Sequence, residues 1–214
     1  MKDNYQKTFQ TMKTGIQQTT EKDFSITENL TREAFWNVYR PGCVEHLVLH
    51  NLRNSKSYIN ELDLVAVFEN EIIGHMITTK AKVVDLQNKE HEVLCAGPLS
   101  VLEKFRNKGI GSMLMKNSIQ IAEQLGFSGM ILFGNPDYYY RFGFKNAQEY
   151  SITTKDGQNF EPFMALELHP NGLANVKGRF FEDDTFEIQP DELTEFEKQF
   201  PYKEKLVTDT QLNF

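Results

Sequence analysis

The sequence predicts a mixed α/β fold with a largely antiparallel sheet in a single domain. Three observations support this prediction. Two helical segments come first, a hairpin of β-branched runs follows them, and strands then alternate with helices. With 214 residues, 40% of them hydrophobic, the chain is long and apolar enough to build one generous domain.

The first two elements are predicted helices. Thr20 followed by Asp23 resembles a capping box, and apolar residues then recur at helical spacing. The first helix should therefore run over residues 21–38 and end before Pro41, because the residue preceding a proline disfavours helical geometry. A second helix is predicted over residues 44–52. The apolar positions of the first helix are Ile26, Leu30, Ala34 and Val38.

A hairpin and a further strand follow. Residues 62–68 and 72–84 are rich in β-branched side chains and flank a short polar turn, which indicates an antiparallel pair. Residues 92–101 form the next predicted strand. Pro98 within it has no N–H to donate, so we expect the strand to bulge or to part from one neighbour there.

The second half alternates helices with short strands. The central helix after residue 109 should end at Gly126, and a brief helix should end at Gly143, because glycine readily adopts the left-handed geometry of a helix end. The apolar face of the central helix is predicted at Ile110, Leu114, Ile121 and Leu125. Strands are predicted at residues 128–134, 149–154 and 163–168, with short strands around 179–188.

Composition limits where the protein works and what it binds. No window approaches the roughly 18 consecutive apolar residues of a membrane span. The polar first residues lack the apolar core of a secretory leader. Cys43 and Cys95 lie far apart without metal-ligand spacing, which favours a reduced cytoplasm. We therefore expect a cytoplasmic protein that does not bind membranes.

The net charge of −7 is concentrated at the C-terminal end. Residues 182–214 hold ten acidic and three basic residues, whereas residues 1–181 are balanced. These totals give no support to a basic face, so no nucleic-acid partner is expected. The acidic end is interpreted as a solvated surface. Its alternative role, long-range attraction of a cationic amine, is weak and screened by salt.

Two glycines, Gly109 and Gly111, stand at the start of the central helix beside Arg106 and Lys108. The first turn of a helix has unpaired N–H groups that suit phosphate, and glycine lets a ligand approach them. An ordinary turn explains the same residues. The dinucleotide motif does not fit because residue 114 is leucine, and no G-K-S/T follows to make a P-loop. The glycines alone leave both interpretations open.

Two motifs in their wider context decide between these interpretations. The run RNKGIG at residues 106–111 follows a strand, and residues 139–144 read Y-x-x-x-G-F after the next strand. Both motifs resemble signatures of the GNAT superfamily of N-acetyltransferases, and the whole is similar to a subgroup of predicted acetyltransferases. The resemblance implies a GNAT domain over residues 14–169, with its sheet splayed at an acetyl-CoA slot. Residues 170–214 would be an acidic C-terminal extension that packs on this domain or continues it.

The resemblance also implies a role for each matching residue. The pyrophosphate of coenzyme A would lie on the N–H groups of residues 107–112, and the pantetheine arm would run along the preceding strand. The N–H of Leu99 would stabilise the developing oxyanion. Tyr139 matches the general acid, since a phenol with a pKa of about 10 is protonated at neutral pH. The implied cofactor-binding residues are Leu99, Val101, Arg106, Asn107, Lys108, Gly109, Ile110, Gly111, Ser112 and Asn135.

Several aromatic and polar neighbours have simpler interpretations. Asn135 is almost equally well explained as a turn residue before a proline. Tyr138 and Tyr140 are interpreted as aromatic packing. Phe180 and Phe181 are interpreted as core residues rather than the rim of an acceptor pocket.

The resemblance leaves the general base unassigned. Some family members place a glutamate four residues before the oxyanion position, where this chain has Cys95, interpreted as a buried structural residue. His75 and Glu92 are candidate substitutes, although a core or surface role is favoured for each. His46 and His50 have the spacing of a zinc pair without its glutamate or a third ligand, so no metal is expected.

The leading interpretation is an acetyl-CoA-dependent N-acetyltransferase. It would transfer acetyl to a primary amine of a small molecule or peptide by direct attack on the thioester. A non-catalytic acyl-CoA-binding sensor or regulatory module is the alternative, and a protein acetyltransferase is a third hypothesis. Tyr139 favours the enzyme, whereas the unassigned base keeps the module open. The expected partners are acetyl-CoA and the amine acceptor, and a homodimer is left open.

Overall fold

A mostly antiparallel sheet forms the centre of the computed structural model, which describes residues 14–209 and residue 211. The strand order is β1-β2-β3-β4-β5-β8-β6, and β9 pairs with both β3 and β7. Only β4–β5 and β7–β9 are parallel among the pairs described. The strands are β1 (Gly15–Gln18), β2 (Asp63–Phe68), β3 (Glu71–Val84), β4 (Glu90–Val101), β5 (Gly129–Phe133), β6 (Lys145–Asn146), β7 (Ile152–Thr153), β8 (Phe163–Glu167) and β9 (Gly178–Phe181).

Helices cover both faces of this sheet, which confirms the predicted fold class. Leu99 of β4 packs into the apolar cluster on one face, whereas the Ser100 hydroxyl is 3.0 Å from the Thr31 hydroxyl on the other. Successive strand residues point to opposite faces, so α1 and α3 lie on opposite sides of β4. None of the helices in the described part of the chain has the length and apolarity of a membrane span. The helices are α1 (Phe24–Phe35), α2 (Glu45–Arg53), α3 (Ile110–Gln124), α4 (Pro136–Tyr139) and α5 (Pro190–Glu197).

The predicted capping box is present, but it precedes a 3₁₀ turn at Glu21–Asp23, so α1 begins at Phe24 instead of residue 21, and its end differs as well. The Asp23 carboxylate accepts from the backbone N–H of Thr20 at 2.9 Å, which completes the predicted capping box. The helix ends at residue 35 instead of 38, because Asn37 adopts a left-handed conformation with φ +60°. The Asn37 side chain also accepts from the Gly42 N–H at 2.7 Å and holds the connection to α2 in a tight loop.

The inner faces of α1 and α3 differ from the apolar stripes that periodicity predicted. On α1, Ile26 is half exposed, while Thr27 and Thr31 are fully buried over a polar network. On α3, Leu125 is 45% exposed because it is the C-cap, just past the last turn. Ile110 and Leu114 are buried as predicted, and Met115, Ser118 and Ala122 complete that face.

The hairpin and the bulge were predicted correctly. Glu69 and Asn70 are both left-handed and form the two-residue turn between β2 and β3. In the β3–β4 ladder, Met76 lies opposite Leu99 and Thr78 lies opposite Ala96. Two residues of β4, 97 and 98, therefore face one residue of β3, which places the bulge at the proline.

Several predictions for the second half were wrong in extent. The strand expected at 149–154 is only Ile152–Thr153, because the Asn146 side chain caps a 3₁₀ turn over residues 147–150. The strands expected around 179–188 reduce to β9, since the Asp183 carboxylate caps another 3₁₀ turn at residues 184–186. The elements β1, β6 and α5 were not predicted. Pro190 at the first position of α5, with acidic residues behind it, was the readable signal for that helix.

The acidic C-terminal end is a solvated surface at most of its carboxylates, as interpreted, but not at Glu197. The Glu197 carboxylate accepts from Arg32 Nη2 at 2.8 Å and lies 2.7 Å from His46 Nε2. Both partners are buried, with side chains 1% and 0% exposed. The end of the chain is therefore tied to α1 and α2. The boundary predicted at residue 169 stays a prediction.

Candidate active site

The N-terminus of α3 presents the backbone groups that the glycines were expected to expose. The first backbone hydrogen bond of this helix runs from Met113 N–H to Gly109 C=O, at 3.0 Å. The N–H groups of residues 110–112 precede that bond at the positive end of the helix. Gly109 has φ +87° and Asn107 has φ +60°, so the loop turns into the helix through two left-handed residues. This geometry can cradle an anion.

The space above the two glycines is open enough for a ligand. A Cβ added at Gly109 would meet no atom within 4 Å. A Cβ at Gly111 would lie 2.7 Å from the Tyr138 hydroxyl and 3.8 Å from the side chain of Leu99. Among the described residues, the Tyr138 hydroxyl is the group that lies nearest to this position. The residues present fit the pyrophosphate of coenzyme A.

The cations beside the loop have partners within the protein. Arg106 Nη2 donates to the Ala34 carbonyl at the end of α1 at 2.8 Å. Its Nε lies 3.5 Å from the Val101 carbonyl. The Lys108 ammonium sits over the ring of Phe105 at 5.3 Å. Arg106 thus links the loop to α1, and a contact with pyrophosphate would require its side chain to turn. That Arg106 and Lys108 bind the cofactor stays a prediction.

Strands β4 and β5 separate after two residue pairs. Leu94 pairs with Met130 and Cys95 pairs with Ile131, and no later pair joins these strands among the described residues. Strand β5 continues to Phe133, while β4 continues to residue 101 past its bulge. The strands therefore splay and leave a gap between their C-terminal halves.

The backbone of β4 faces this gap at the two positions that sequence analysis named. Leu102 N–H donates to the Ile73 carbonyl at 3.0 Å, so these two form a hydrogen-bonded pair of the antiparallel ladder. Such pairs alternate with non-hydrogen-bonded pairs. The backbone groups of Leu99 and Val101, in the alternate pairs, therefore point away from β3 and toward the gap. They are placed to receive an extended ligand.

Tyr139 stands at the end of β5 beside the gap. Its ring packs edge-on against Phe144 at 5.7 Å, and its edge occupies the space where Gly134 would carry a Cβ. Burial raises the pKa of Tyr139, and the neighbouring phenols of Tyr138 and Tyr39 raise it further. This phenol is therefore protonated at neutral pH, as a proton donor must be.

The residues around Tyr139 depart in part from their predicted roles. The Asn135 side-chain oxygen accepts from Asp137 N–H at 3.0 Å and caps α4, which is the turn role given as the alternative. Tyr140 is half exposed, so its assignment to packing was wrong. Tyr138 packs edge-on against Tyr139 and Phe142, as assigned, and its hydroxyl in addition lies beside Gly111 in the glycine cradle. Nothing in the sequence around Tyr138 predicted that its hydroxyl would lie beside Gly111.

The two candidate bases take the core and surface roles that were favoured for them, and Cys95 is a buried residue. Cys95 is 1% exposed, and burial raises the pKa of its thiol, as the structural interpretation expected. His75 is fully buried with Nε2 2.7 Å from the Asp63 carboxylate, so it is a core residue. Glu92 forms an ion pair with Lys80 at 3.1 Å on the exposed half of the sheet.

A carboxylate that sequence analysis missed lies beside Cys95. Glu182, the residue after β9, brings Oε2 to 4.0 Å from the Cys95 sulfur. Burial raises the pKa of Glu182 to about 7; the charge of Lys155 lowers it and that of Glu187 raises it. Its distance in sequence from both motifs, across a strand pairing of β9 with β3, explains why sequence reasoning did not find it.

The paired histidines of α2 do not form a metal site. His46 faces Glu197, whereas His50 lies 2.9 Å from Glu28 on α1. Among the described residues no group of three or more His, Cys, Asp or Glu could hold a metal ion.

A cavity of about 720 Å³ lies away from the gap, between α1 and the tip of the β2–β3 hairpin. Its walls include the carboxylates of Asp23, Glu69 and Glu71. Such walls would repel phosphates, so this cavity does not suit coenzyme A.

The family follows from a direct comparison of the sequence. Residues 25–144, more than half of the chain, match the model of the Acetyltransferase (GNAT) family. The chain belongs to this family. The matched range includes α3, the gap between β4 and β5, and Tyr139, and it confirms the resemblance on which the predictions rested.

Known relatives agree with this membership. The "uncharacterized N-acetyltransferase" YhbS of Escherichia coli K12 is 27% identical over 135 residues, which cover 63% of this chain and 78% of YhbS. YjhQ of the same organism, with the same description, is 27% identical over 84 residues, 39% of this chain and 46% of YjhQ.

Solved structures share the fold. The structure of Escherichia coli YhbS in complex with CoA superimposes with a TM-score of 0.70 at 23% identity, covering 82% of this chain and 92% of that one. A GNAT family acetyltransferase from Brucella melitensis in complex with acetyl-CoA gives a TM-score of 0.68 at 24% identity, covering 82% and 99%.

Proposed function

We propose that this protein transfers the acetyl group of acetyl-CoA to a primary amine of a small molecule or peptide. The observation that carries the proposal is the gap between β4 and β5, which opens beside the exposed first turn of α3. An extended thioester and its pyrophosphate need these two features side by side. Family membership and the CoA complexes of proteins with the same fold support the assignment.

The backbone would hold most of the cofactor. N–H groups of residues 107–112 would bind the pyrophosphate, with charge from Arg106 and Lys108. The pantetheine arm would pair with Leu99 and Val101, whose backbone groups face the gap. Because Asn135 Oδ1 is used in the cap of α4, a bond from Asn135 to the arm would come from Nδ2.

Leu99 and Tyr139 would act on the reacting bonds. Acetyl-CoA supplies an activated acyl carbon. As the amine nitrogen attacks that carbon, the Leu99 N–H would donate to the carbonyl oxygen, where negative charge develops. The C–N bond forms, the C–S bond breaks, and the Tyr139 hydroxyl would give its proton to the sulfur. Because the pKa of Tyr139 is raised, its hydroxyl would stay protonated until the C–S bond breaks.

Calorimetric titration with acetyl-CoA, followed by a thiol-release assay over a panel of primary amines, tests this function. The proposal expects micromolar binding and amine-dependent release of free thiol. Binding without thiol release from any amine or protein would favour the alternative, an acyl-CoA-binding sensor. No binding would overturn both. Sedimentation of the same preparation tests the homodimer that the sequence leaves open.

A further inference from the structure

The face of the sheet opposite α3 also borders the β4–β5 gap. Cys95 and Ile131 end the β4–β5 pairing, and both belong to the apolar cluster on that face. Side chains alternate along a strand, so Phe133, two residues after Ile131, points to the same face beyond the last pair. Its ring is 44% exposed, at the edge of the opening.

Strand β9 delivers a carboxylate to the same face. Phe180 pairs with Val83 of β3 and is buried in the cluster that contains Cys95. Glu182 follows two residues later, so its side chain leaves the chain on the same side. The contact of 4.0 Å between its Oε2 and the Cys95 sulfur fixes its position next to the start of the gap.

Glu182 has no cation bound to it. Within residues 14–209, no lysine, arginine or histidine nitrogen lies within 4 Å of its carboxylate, although Lys155 is close enough to influence it. The Lys155 ammonium is itself paired with Glu187. The neighbouring Asp183 accepts from the Ser55 hydroxyl and from Thr185, and so serves the local fold. Unlike Glu187, the partly buried Glu182 forms no ion pair with a cation of the described residues.

Exposed aromatic rings lie on the same face of the sheet as this carboxylate. Phe160, 45% exposed, stacks on Phe133 at 5.9 Å between ring centres. The Phe133 ring lies 6.2 Å from that of Phe180, which is two residues from Glu182. A carboxylate beside aromatic faces suits an ammonium group joined to an apolar body, since both attract the cation. Phe180 is a core residue, as the sequence predicted. The exposed rings on this face are those of Phe133 and Phe160.

We propose that Glu182 is the proton acceptor of this active site and binds the ammonium of an acceptor whose apolar part contacts Phe133 and Phe160. This inference rests on the proposed acetyl transfer. The ammonium loses one proton to the Glu182 carboxylate, and the neutral nitrogen then attacks the thioester carbon. The second proton that leaves the nitrogen replaces the one that Tyr139 gives to the sulfur. Glu182 then releases its proton to water. The ammonium and acetyl-CoA become the amide, free CoA thiol and one proton.

The titration range of Glu182 fits this role. A base with a pKa of about 7 is ionised in a large fraction of molecules at neutral pH and still holds a proton strongly enough to accept it from an ammonium. The charged groups that face it are Lys155, Glu187 and Asp183, with the neutral thiol of Cys95.

The test compares Glu182→Gln with the matched control Glu161→Gln, which removes an exposed charge that is not among those acting on Glu182. Thiol release is followed with 2-phenylethylamine as the probe, over pH 5.5–9.5. In the wild type, kcat/KM should rise up to about pH 7 and then level. Glu182→Gln should lower kcat/KM by roughly 10²–10³ at pH 7. In this variant kcat/KM should keep rising above pH 7, because the amine must then lose its proton to water. The control should keep the wild-type profile, and Glu182→Asp should recover part of the rate.

Two further readouts separate the ways in which this proposal and the proposed function can fail. Calorimetry should give the same acetyl-CoA affinity for Glu182→Gln as for the wild type. Phe160→Ala should raise KM for 2-phenylethylamine more than for ethylamine. Normal acetyl-CoA binding with an unchanged rate and profile in Glu182→Gln would overturn the role of Glu182 alone, as would failure of the wild type to use 2-phenylethylamine. Loss of acetyl-CoA binding by the wild type itself would overturn the proposed function.

Discussion

The two sides of the β4–β5 gap are built in different ways. The α3 side is made of backbone groups from one continuous stretch, with glycines where side chains would obstruct a ligand. On the opposite face of the sheet, side chains meet from distant parts of the chain, as Cys95 meets Glu182 next to the gap and as Arg32 of α1 meets Glu197 of α5. A backbone cradle suits a constant cofactor, whereas side-chain contacts can change with the acceptor. The comparison predicts that variants on the two sides affect different quantities.

The largest effect is expected at Tyr139, which packs on the α3 side beside the end of β5. Replacing Tyr139 by Phe should lower kcat by roughly 10²–10⁴, because the leaving sulfur loses its proton donor. The affinity for acetyl-CoA should change little, since the ring and its packing remain. Steady-state kinetics and calorimetry on one preparation measure both. Tyr140→Phe, at an exposed ring, is the control, and an unchanged kcat in Tyr139→Phe would remove the assignment.

The next largest effect is expected on the stability of the protein, at Glu197. Glu197→Gln removes the close carboxylate partner of the buried Arg32 guanidinium and leaves only the exposed Glu33, 3.9 Å from Nη1, so the free energy of unfolding should fall by about 3 kcal/mol. Denaturant unfolding measures this change. Glu195→Gln, on the same helix at an exposed position, should change the free energy by less than about 0.5 kcal/mol. Equal effects of the two variants would contradict a tightly tied C-terminal end.

The contacts among Arg32, His46 and Glu197 predict that the free energy of unfolding depends on pH. Burial lowers the pKa of His46 to about 4, so below about pH 6.5 the unfolded chain takes up a proton that the folded chain cannot. Burial opposes ionisation of Glu197, but its bonds to Arg32 and the charge of His46 lower its pKa overall. Both groups therefore make stability fall as the pH falls.

The contribution of His46 can be isolated with His46→Gln, which cannot titrate. Between pH 6.5 and pH 4.5 the wild type should lose about 2 kcal/mol more than the variant, within the limit of about 1.4 kcal/mol per pH unit for one proton. Urea unfolding at several pH values gives the two slopes. Parallel slopes would show that His46 does not govern acid stability.

The smallest effect should come from Arg106, which links the two sides. Arg106→Gln removes the bond to the Ala34 carbonyl and should cost about 1 kcal/mol of stability. If Arg106 also turns to the pyrophosphate, the Kd for acetyl-CoA should rise about fivefold, or about 1 kcal/mol. Lys104→Gln, whose partner is the exposed Glu71, is the control. An unchanged Kd would leave Arg106 with a structural role only.

The difference between the two sides also explains what the sequence could predict. The hairpin, the bulge at Pro98 and the start of α3 depend on local residues: a turn, a missing N–H and the left-handed Gly109. Their signals lie within a few positions of each other. The loop and Tyr139 were readable as motifs for the same reason, although their roles in binding and catalysis stay predictions.

Long-range contacts explain what the sequence did not predict. Glu197 belonged to an acidic run, and nothing in that run distinguished it from neighbours that face water. Its burial depends on Arg32, 165 positions away. Glu182 reaches the gap only because β9 pairs with β3. The Tyr138 hydroxyl lies over Gly111 because α4 packs at that angle, which the three adjacent tyrosines do not specify.

The central claim is that the first turn of α3 holds the cofactor, and calorimetry with acetyl-CoA tests it most directly. Tyr138→Phe removes the hydroxyl that an added Cβ at residue 111 would meet, so Gly111→Ala can be added without a clash inside the protein. The double variant should be at least as stable as Tyr138→Phe, because alanine favours a helix over glycine by up to about 1 kcal/mol. The account predicts that it nonetheless binds acetyl-CoA about tenfold more weakly than Tyr138→Phe alone. Equal affinities would contradict it, and the glycines would be a turn.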